Sequence, residues 1–162
     1  MIAQFRTLQK VKRLREDRAL RALQAARRDV RTAAERVETA RAAVAKSERT
    51  LPEREVAIYA KIMDQVVRTA EIDLAKERVQ QLMAGHQKLI DKVSRARDHL
   101  KRCEDAAEKA RAAHAARRAE VEKIDTMAED MALAAANEAL AAEEAEIEEL
   151  FSVPRARPGE AA

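Results

Sequence analysis

The side chains in this sequence with the most chemical potential are three histidines and one cysteine. His86, His99 and His114 are separated by 13 and 15 positions, whereas zinc ligands on a helix lie three or four residues apart or pair with cysteines. Polar residues that fix the register of paired helices are the better explanation. The lone Cys103 excludes an internal disulfide and suits a reducing compartment. We therefore expect no metal site.

The remaining side chains predict no catalytic site. A cysteine nucleophile needs a converging base and an oxyanion site. The two glycines, Gly85 and Gly159, lie too far apart to form a phosphate-binding loop. The many carboxylates alternate with Lys and Arg, as is typical of ion pairs on a helix surface. We therefore expect no enzymatic activity and no cofactor.

The strongest candidate for binding is a basic stretch at residues 10–23, which reads KVKRLREDRALRAL. No aromatic residue interleaves the cations to stack nucleic-acid bases, and the cations surround the leucines on all sides, unlike those of a membrane-surface helix. From residue 2 to residue 14, apolar residues recur at every third position: Ile2, Phe5, Leu8, Val11 and Leu14. At this spacing their directions rotate progressively around a helix. This mixture favours insertion into a site on a larger protein.

The composition indicates long helices in a cytosolic protein. Charged residues make up 38% and aromatic residues 2%, while Ala, Arg, Glu, Lys and Leu dominate, as in coiled coils. No apolar run reaches the roughly 18–20 residues of a membrane span, and the N-terminus meets charge too early for a signal peptide. Charge is unevenly spread, because residues 1–50 carry a net +8 and residues 101–162 a net −6.

Two heptad seams, with steps alternating between three and four residues, predict the fold. The first seam is Leu23, Ala26, Val30, Ala33, Val37, Ala40, Val44, Ser47 and Leu51. The second is Ile72, Ala75, Val79, Leu82, His86, Leu89, Val93, Ala96, Leu100, Cys103, Ala107 and Ala110. A period of 3.5 residues winds helices around each other. The prediction is an all-α, long antiparallel two-helix coiled-coil hairpin with a longer second helix.

The expected turn lies at Pro52. Thr50 and Glu53 fit a capping box, and proline suits the first turn of a helix. Helix 1 is therefore predicted at about 2–48 and helix 2 at about 52–150, in a single coiled coil over 1–151, and the alternatives of a bend near 132–137 and a continuous second helix stay open. Residues 152–162 are predicted to be a disordered tail. Such a turn leaves the second helix overhanging from Cys103, with its later seam residues uncovered: Val121, Ile124, Ala128 and Met131.

Two stretches resemble a known family. VKRLREDRA at residues 11–19 and LPEREVAIYAKIM at residues 51–63 resemble the YscO-like (SctO) stalk proteins of bacterial type III secretion systems, the counterparts of flagellar FliJ. Their architecture is similar to that of the coiled-coil part of the F-type ATPase gamma subunit. The likeness covers nearly the whole chain, except for the alanine- and glutamate-rich end from Ala132 to Glu149.

This resemblance implies a monomeric, cytoplasmic stalk at the base of the secretion apparatus, without membrane insertion. The stalk would link the hexameric secretion ATPase to the cytoplasmic domain of the export gate, and some relatives also bind export chaperones. By position, the ATPase contacts would be Arg6, Lys10, Lys12, Arg13, Arg15 and Arg18, with the overhanging helix as a further candidate. The gate contacts would be Leu51, Val56, Tyr59, Ile62 and Met63.

Two alternative functions remain open. A generic coiled-coil scaffold would self-associate through the uncovered seam at residues 104–131. A nucleic-acid-binding basic coiled coil would bind with an affinity that falls steeply with salt, because phosphate contacts release counterions.

Overall fold

The computed structural model describes residues 2–152, with Ile2 described by its backbone alone. Helix α1 spans Ile2–Ala60 and helix α2 spans Thr69–Ser152, and residues 61–68 join them. The predicted fold class is confirmed, because the chain is an all-α antiparallel two-helix hairpin with a longer second helix. Neither helix is long and apolar enough to cross a membrane over these residues. Of the predicted tail, only Ser152 is among them, and it ends α2.

The hairpin divides into two compact units, and each unit contains a stretch of both helices. Unit 1 is Met1–Asp17 with Ala115–Ala162, and unit 2 is Arg18–His114. The heptad spacing, which predicts a single coiled coil over 1–151, gives no sign of this division.

The core of unit 2 is the pair of predicted seams. Every seam position of α1 from Leu23 to Leu51 is buried or half-buried, as is every seam position of α2 from Ala75 to Ala110. Ile72, the first residue of the second seam, is exposed. Ala33 and Ala40 are almost fully buried beside Val37, so small and large side chains alternate along α1. Each large apolar side chain buried here stabilises the pair by about 1.5–3 kcal/mol.

The predicted turn at Pro52 is wrong, because α1 continues through this proline to Ala60. The hydroxyl of Thr50 does not cap a helix but donates to the carbonyl of Lys46 at 3.0 Å, within α1. The Pro52 ring is exposed, while the seam continues through the half-buried Ile58 and Ile62. A proline inside a helix costs about 3 kcal/mol, and burial of two such apolar side chains offsets a cost of that size.

The true turn has its own capping contacts. The carbonyl of Tyr59 accepts hydrogen bonds from the backbone N–H groups of Ile62 and Met63 at 3.0 and 3.1 Å. Asp64 has a φ of 61°, in the left-handed region that aspartate adopts more readily than most residues. The backbone N–H of Arg68 donates to Glu71 Oε2 at 2.8 Å, as in half of a capping box. Helix α2 therefore begins at Thr69.

The displaced turn changes which residues meet in unit 1. Lys12 pairs with Glu120 at 2.7 Å, whereas a turn at Pro52 would place Ile2 opposite residue 100. The prediction that Val121 and Ile124 are uncovered is wrong, because both are buried. Helix α2 is also uninterrupted over residues 132–137, where a bend was one of the alternatives.

Candidate partner-binding surfaces

On α1, the seam of unit 1 is mainly polar, whereas the seam of unit 2 is mainly apolar. Heptad steps carried back from Leu23 reach Glu16, Lys12, Gln9 and Phe5, and all four are half-buried. The large apolar residues of these turns lie outside the seam, because Leu8, Val11 and Leu14 are 43%, 37% and 58% exposed. The first turns of α1 therefore bring mainly polar side chains to their pairing with α2, where Val121 and Ile124 are buried.

Within residues 2–152, polar contacts between the helices of unit 1 are made by a group of side chains here called the polar clamp: Gln9, Lys12, Arg13, Glu120 and Asp125. Lys12 Nζ donates to Glu120 Oε2 at 2.7 Å. Gln9 Nε2 and Arg13 Nη2 both donate to Asp125 Oδ1, at 3.1 and 3.0 Å. Apolar spacing gives no sign of the polar clamp, but the heptad carried back from Leu23 marks two of its α1 members, Gln9 and Lys12.

The polar clamp changes the acidity of one of its carboxyl groups. The hydrogen bond from Lys12 holds the pKa of Glu120 below its ordinary value of 4.5, and the charges of Arg117 and Lys12 act in the same direction. Desolvation opposes this shift. A carboxyl group whose pKa is lower in the folded state stabilises the fold above its unfolded pKa, and this contribution is lost as the pH falls through the folded value.

Replacing Glu120 tests this linkage. At neutral pH we expect Glu120→Gln to lower the melting temperature slightly, as is usual for a partly exposed ion pair. The difference from the unmodified chain should shrink as the pH falls below about 4.5, because Glu120 then becomes protonated in the folded chain as well. Circular dichroism melts between about pH 7 and pH 3 would measure it.

Glu122→Gln is the matched control. Glu122 pairs with Arg118 at 3.0 Å on the same helix, so its loss leaves the polar clamp intact. A Glu120→Gln effect that is the same at every pH would contradict the assigned role of the carboxylate.

The predicted ATPase contacts fall into two groups. Lys12 and Arg13 are held by the polar clamp. Arg6, Lys10 and Arg15 are exposed in unit 1, and none of them has an ion pair within residues 2–152. Arg18, the first residue of unit 2, is also exposed.

Apolar side chains lie among the free cations of unit 1. At about 100° per residue, Val11 and Leu14 project away from the seam side of α1, between Lys10 and Arg15. We call Leu8, Lys10, Val11, Leu14 and Arg15 the cationic face. This surface offers charge and apolar area to a partner together.

The predicted gate contacts lie together at the end of α1 and in the turn of unit 2. Val56 and Met63 are 63% and 61% exposed, while Leu51, Tyr59 and Ile62 are half-buried. Val66, whose side chain is fully exposed in the same turn, is not among the predicted gate contacts.

His86, His99 and Cys103 each contact another side chain. Ser47 is buried in the seam of unit 2, and its Oγ shares a 2.8 Å hydrogen bond with His86 Nδ1. Cys103 Sγ lies 3.6 Å from His99 Nε2, one turn away on α2. Across residues 2–152, no cluster of three or more histidine, cysteine or acidic side chains could hold a metal ion.

Comparison with known proteins gives one family and one fold. A family model described as "Type III secretion protein YscO" matches residues 5–153. The crystal structure of YscO from Vibrio parahaemolyticus superposes with a TM-score of 0.82 at 22% sequence identity, covering 91% of this chain and 92% of that one. No curated protein matches the sequence. The solved structure therefore supports the fold, and the family match covers nearly the whole chain.

Proposed function

The chain belongs to the YscO family of type III secretion proteins, and from this membership we propose that it is the non-enzymatic central stalk that couples the secretion ATPase to the export gate. In this proposal the chain works as a monomer in the cytoplasm, at the base of the secretion apparatus. It neither hydrolyses ATP nor binds a cofactor. Export chaperones are a further class of partner, as for some YscO-like proteins.

The observation that carries the proposal is the composition of the cationic face. Lys10 and Arg15 have no ion pair within residues 2–152, and three large apolar side chains are exposed beside them. Cations among apolar residues suit a negatively charged site on a partner protein, since charge guides the approach and apolar area supplies affinity. We assign this face, with Arg6 and Arg18, to the hexameric ATPase.

We assign the turn of unit 2 to the cytoplasmic domain of the export gate. Val56, Met63 and Val66 are exposed there within a short stretch of chain. Exposed apolar clusters commonly mark protein-binding sites. The half-buried Leu51, Tyr59 and Ile62 complete the proposed contact.

Stimulation of the ATPase tests the proposal. Purified chain added to its cognate ATPase should raise the rate of ATP hydrolysis. Lys10→Glu combined with Arg15→Glu should abolish this rise, because each reversal replaces attraction with repulsion at the negatively charged site. Circular dichroism should show unchanged helicity, since both side chains are exposed and glutamate is a good helix former.

Lys88→Glu combined with Lys92→Glu is the matched control, because both lysines are exposed on α2 in unit 2. This variant has the same net charge as the cationic-face variant, so it separates a local contact from general electrostatic attraction. The control should stimulate normally. Equal stimulation by both variants, or by neither, would reject the assignment of the cationic face.

The two alternatives have their own tests. A self-associating scaffold needs an uncovered seam, yet Val121 and Ile124 are buried within unit 1. A stable dimer in sedimentation would nevertheless favour the scaffold. Binding of DNA or RNA at about 50 mM salt that disappears at higher salt would favour the nucleic-acid reading.

A further inference from the structure

The last five turns of α2 have no helix packed against them within residues 2–152. The first turns of α1 reach a groove of about 350 Å³ lined by Phe5, Arg6, Met131 and Ala135. Every residue from Ala132 to Ser152 is exposed. In proteins, most of the stability of a helix comes from packing of its apolar face, so this segment is suited to being covered by something else.

The uncovered segment carries an apolar stripe of its own. Leu133, Leu140 and Ile147 are exactly one heptad apart, followed by Leu150 and Phe151, and each is more than half exposed. We call these five residues the C-terminal stripe. It does not continue the seam that faces α1, since Leu133 lies about 200° around the helix from Met131. The stripe is therefore a separate surface of α2.

Acidic side chains border the C-terminal stripe. Residues 124–152 contain nine acidic residues and no lysine or arginine. Glu143, Glu144 and Glu148 lie on either side of the stripe, and none of them has an ion pair within residues 2–152. In coiled coils, flanking charges of this kind select partners that carry the opposite charge.

We propose that the C-terminal stripe docks a cationic amphipathic helix of another protein. The partner helix carries apolar residues at heptad spacing and lysine or arginine at the flanking positions. About five turns of partner helix match the distance from Leu133 to Phe151. This docking site shares no residue with the cationic face or the turn, the surfaces assigned above to the ATPase and the gate.

A second copy of this chain fits the C-terminal stripe less well. The basic part of the chain exposes Leu8, Val11 and Leu14, which recur every third residue. Their directions shift by about 60° at each step, so they form no straight stripe to lie along Leu133, Leu140 and Ile147. A partner with a true heptad is needed.

A synthetic helix tests the docking site on the full chain. The probe is a fluorescent peptide of about three heptads, with leucine at positions a and d and lysine at e and g. Its anisotropy should rise with the unmodified chain. Leu140→Glu combined with Ile147→Glu should weaken binding by about tenfold or more, as for residues central to an interface. A matching peptide with glutamate in place of lysine should not bind.

Met83→Glu combined with Ile90→Glu is the matched control. These residues are also exposed and seven apart, but they lie in unit 2. The control should bind the lysine peptide as the unmodified chain does. Leu140→Ala with Ile147→Ala, which keeps helix propensity high, should also weaken binding.

Two results would overturn the proposal. One is equal binding of the lysine peptide by the stripe variants and the control. The other is a dimer in sedimentation that the Leu140→Glu and Ile147→Glu changes dissociate, since a second copy would then cover the stripe.

Discussion

Replacing Val37 by aspartate is expected to separate the helices of unit 2. Val37 is 3% exposed, between the buried Ala33 and Ala40, so the new carboxylate would be almost completely removed from water. An uncompensated buried charge costs about 3–5 kcal/mol, a large part of the roughly 5–15 kcal/mol that stabilises a typical domain. Circular dichroism should show a melting temperature lower by about 10 °C or more.

Val56→Asp is the control for this prediction. It makes the same chemical change on the same helix, but at a side chain that is 63% exposed. Its melting temperature should stay close to that of the unmodified chain, because surface changes usually alter stability by less than about 0.5 kcal/mol. Similar melting of the two variants would mean that Val37 is not in a closely packed seam.

The same substitution at Val56 should have its effect on binding instead. We expect Val56→Asp combined with Met63→Asp to weaken binding to the purified cytoplasmic domain of the export gate by about tenfold or more. Both side chains are exposed beside the turn, and charges there would have to be desolvated on binding. Isothermal titration calorimetry would measure the affinity.

Met83→Asp with Ile90→Asp controls for a general loss of exposed apolar surface, as both residues lie farther along α2 in unit 2. This control should bind the gate domain normally. If the turn variant also binds normally, the assignment of the gate contact to this turn is wrong.

The fold could be predicted from the sequence where one physical cause dominates. The seams from Leu23 to Leu51 and from Ala75 to Ala110 followed from heptad spacing, because burial of apolar side chains decides how helices pair. Gly85 lies inside α2, as the predicted second helix over about 52–150 requires. Its position is exposed, with no atom near where a Cβ would lie, so its only cost is its helix propensity of about 1 kcal/mol.

The turn could not be predicted in the same way. Thr50, Pro52 and Glu53 form a plausible local helix start, but seam burial on both sides of Pro52 outweighs it. Local signals of about 1 kcal/mol compete poorly with several buried side chains. The predicted chain reversal comes too early in the sequence, so every residue of α1 in unit 1 was paired with the wrong residue of α2. This is why Val121 and Ile124 were expected to be uncovered.

The candidate surfaces were only partly predictable. The residues of the cationic face stand out by composition, but the sequence does not show that Lys12 and Arg13 are held by carboxylates of α2 while Lys10 and Arg15 are free. The C-terminal stripe was readable as leucine and isoleucine seven residues apart. It went unnoticed because alanines surround it and because the overhang was expected to begin much earlier, at Cys103.

Because of the polar clamp, the pairing of the first turns of α1 with α2 is sensitive to ionic strength. Dissolved ions weaken attraction between partly exposed charges, with a screening length of about 8 Å at physiological concentration, whereas burial of alanine and valine is little affected by such screening. Moderate salt should therefore loosen unit 1 while unit 2 holds. Rising salt concentration should separate the two helices first where α1 begins, while they stay paired where the seam of α1 is apolar.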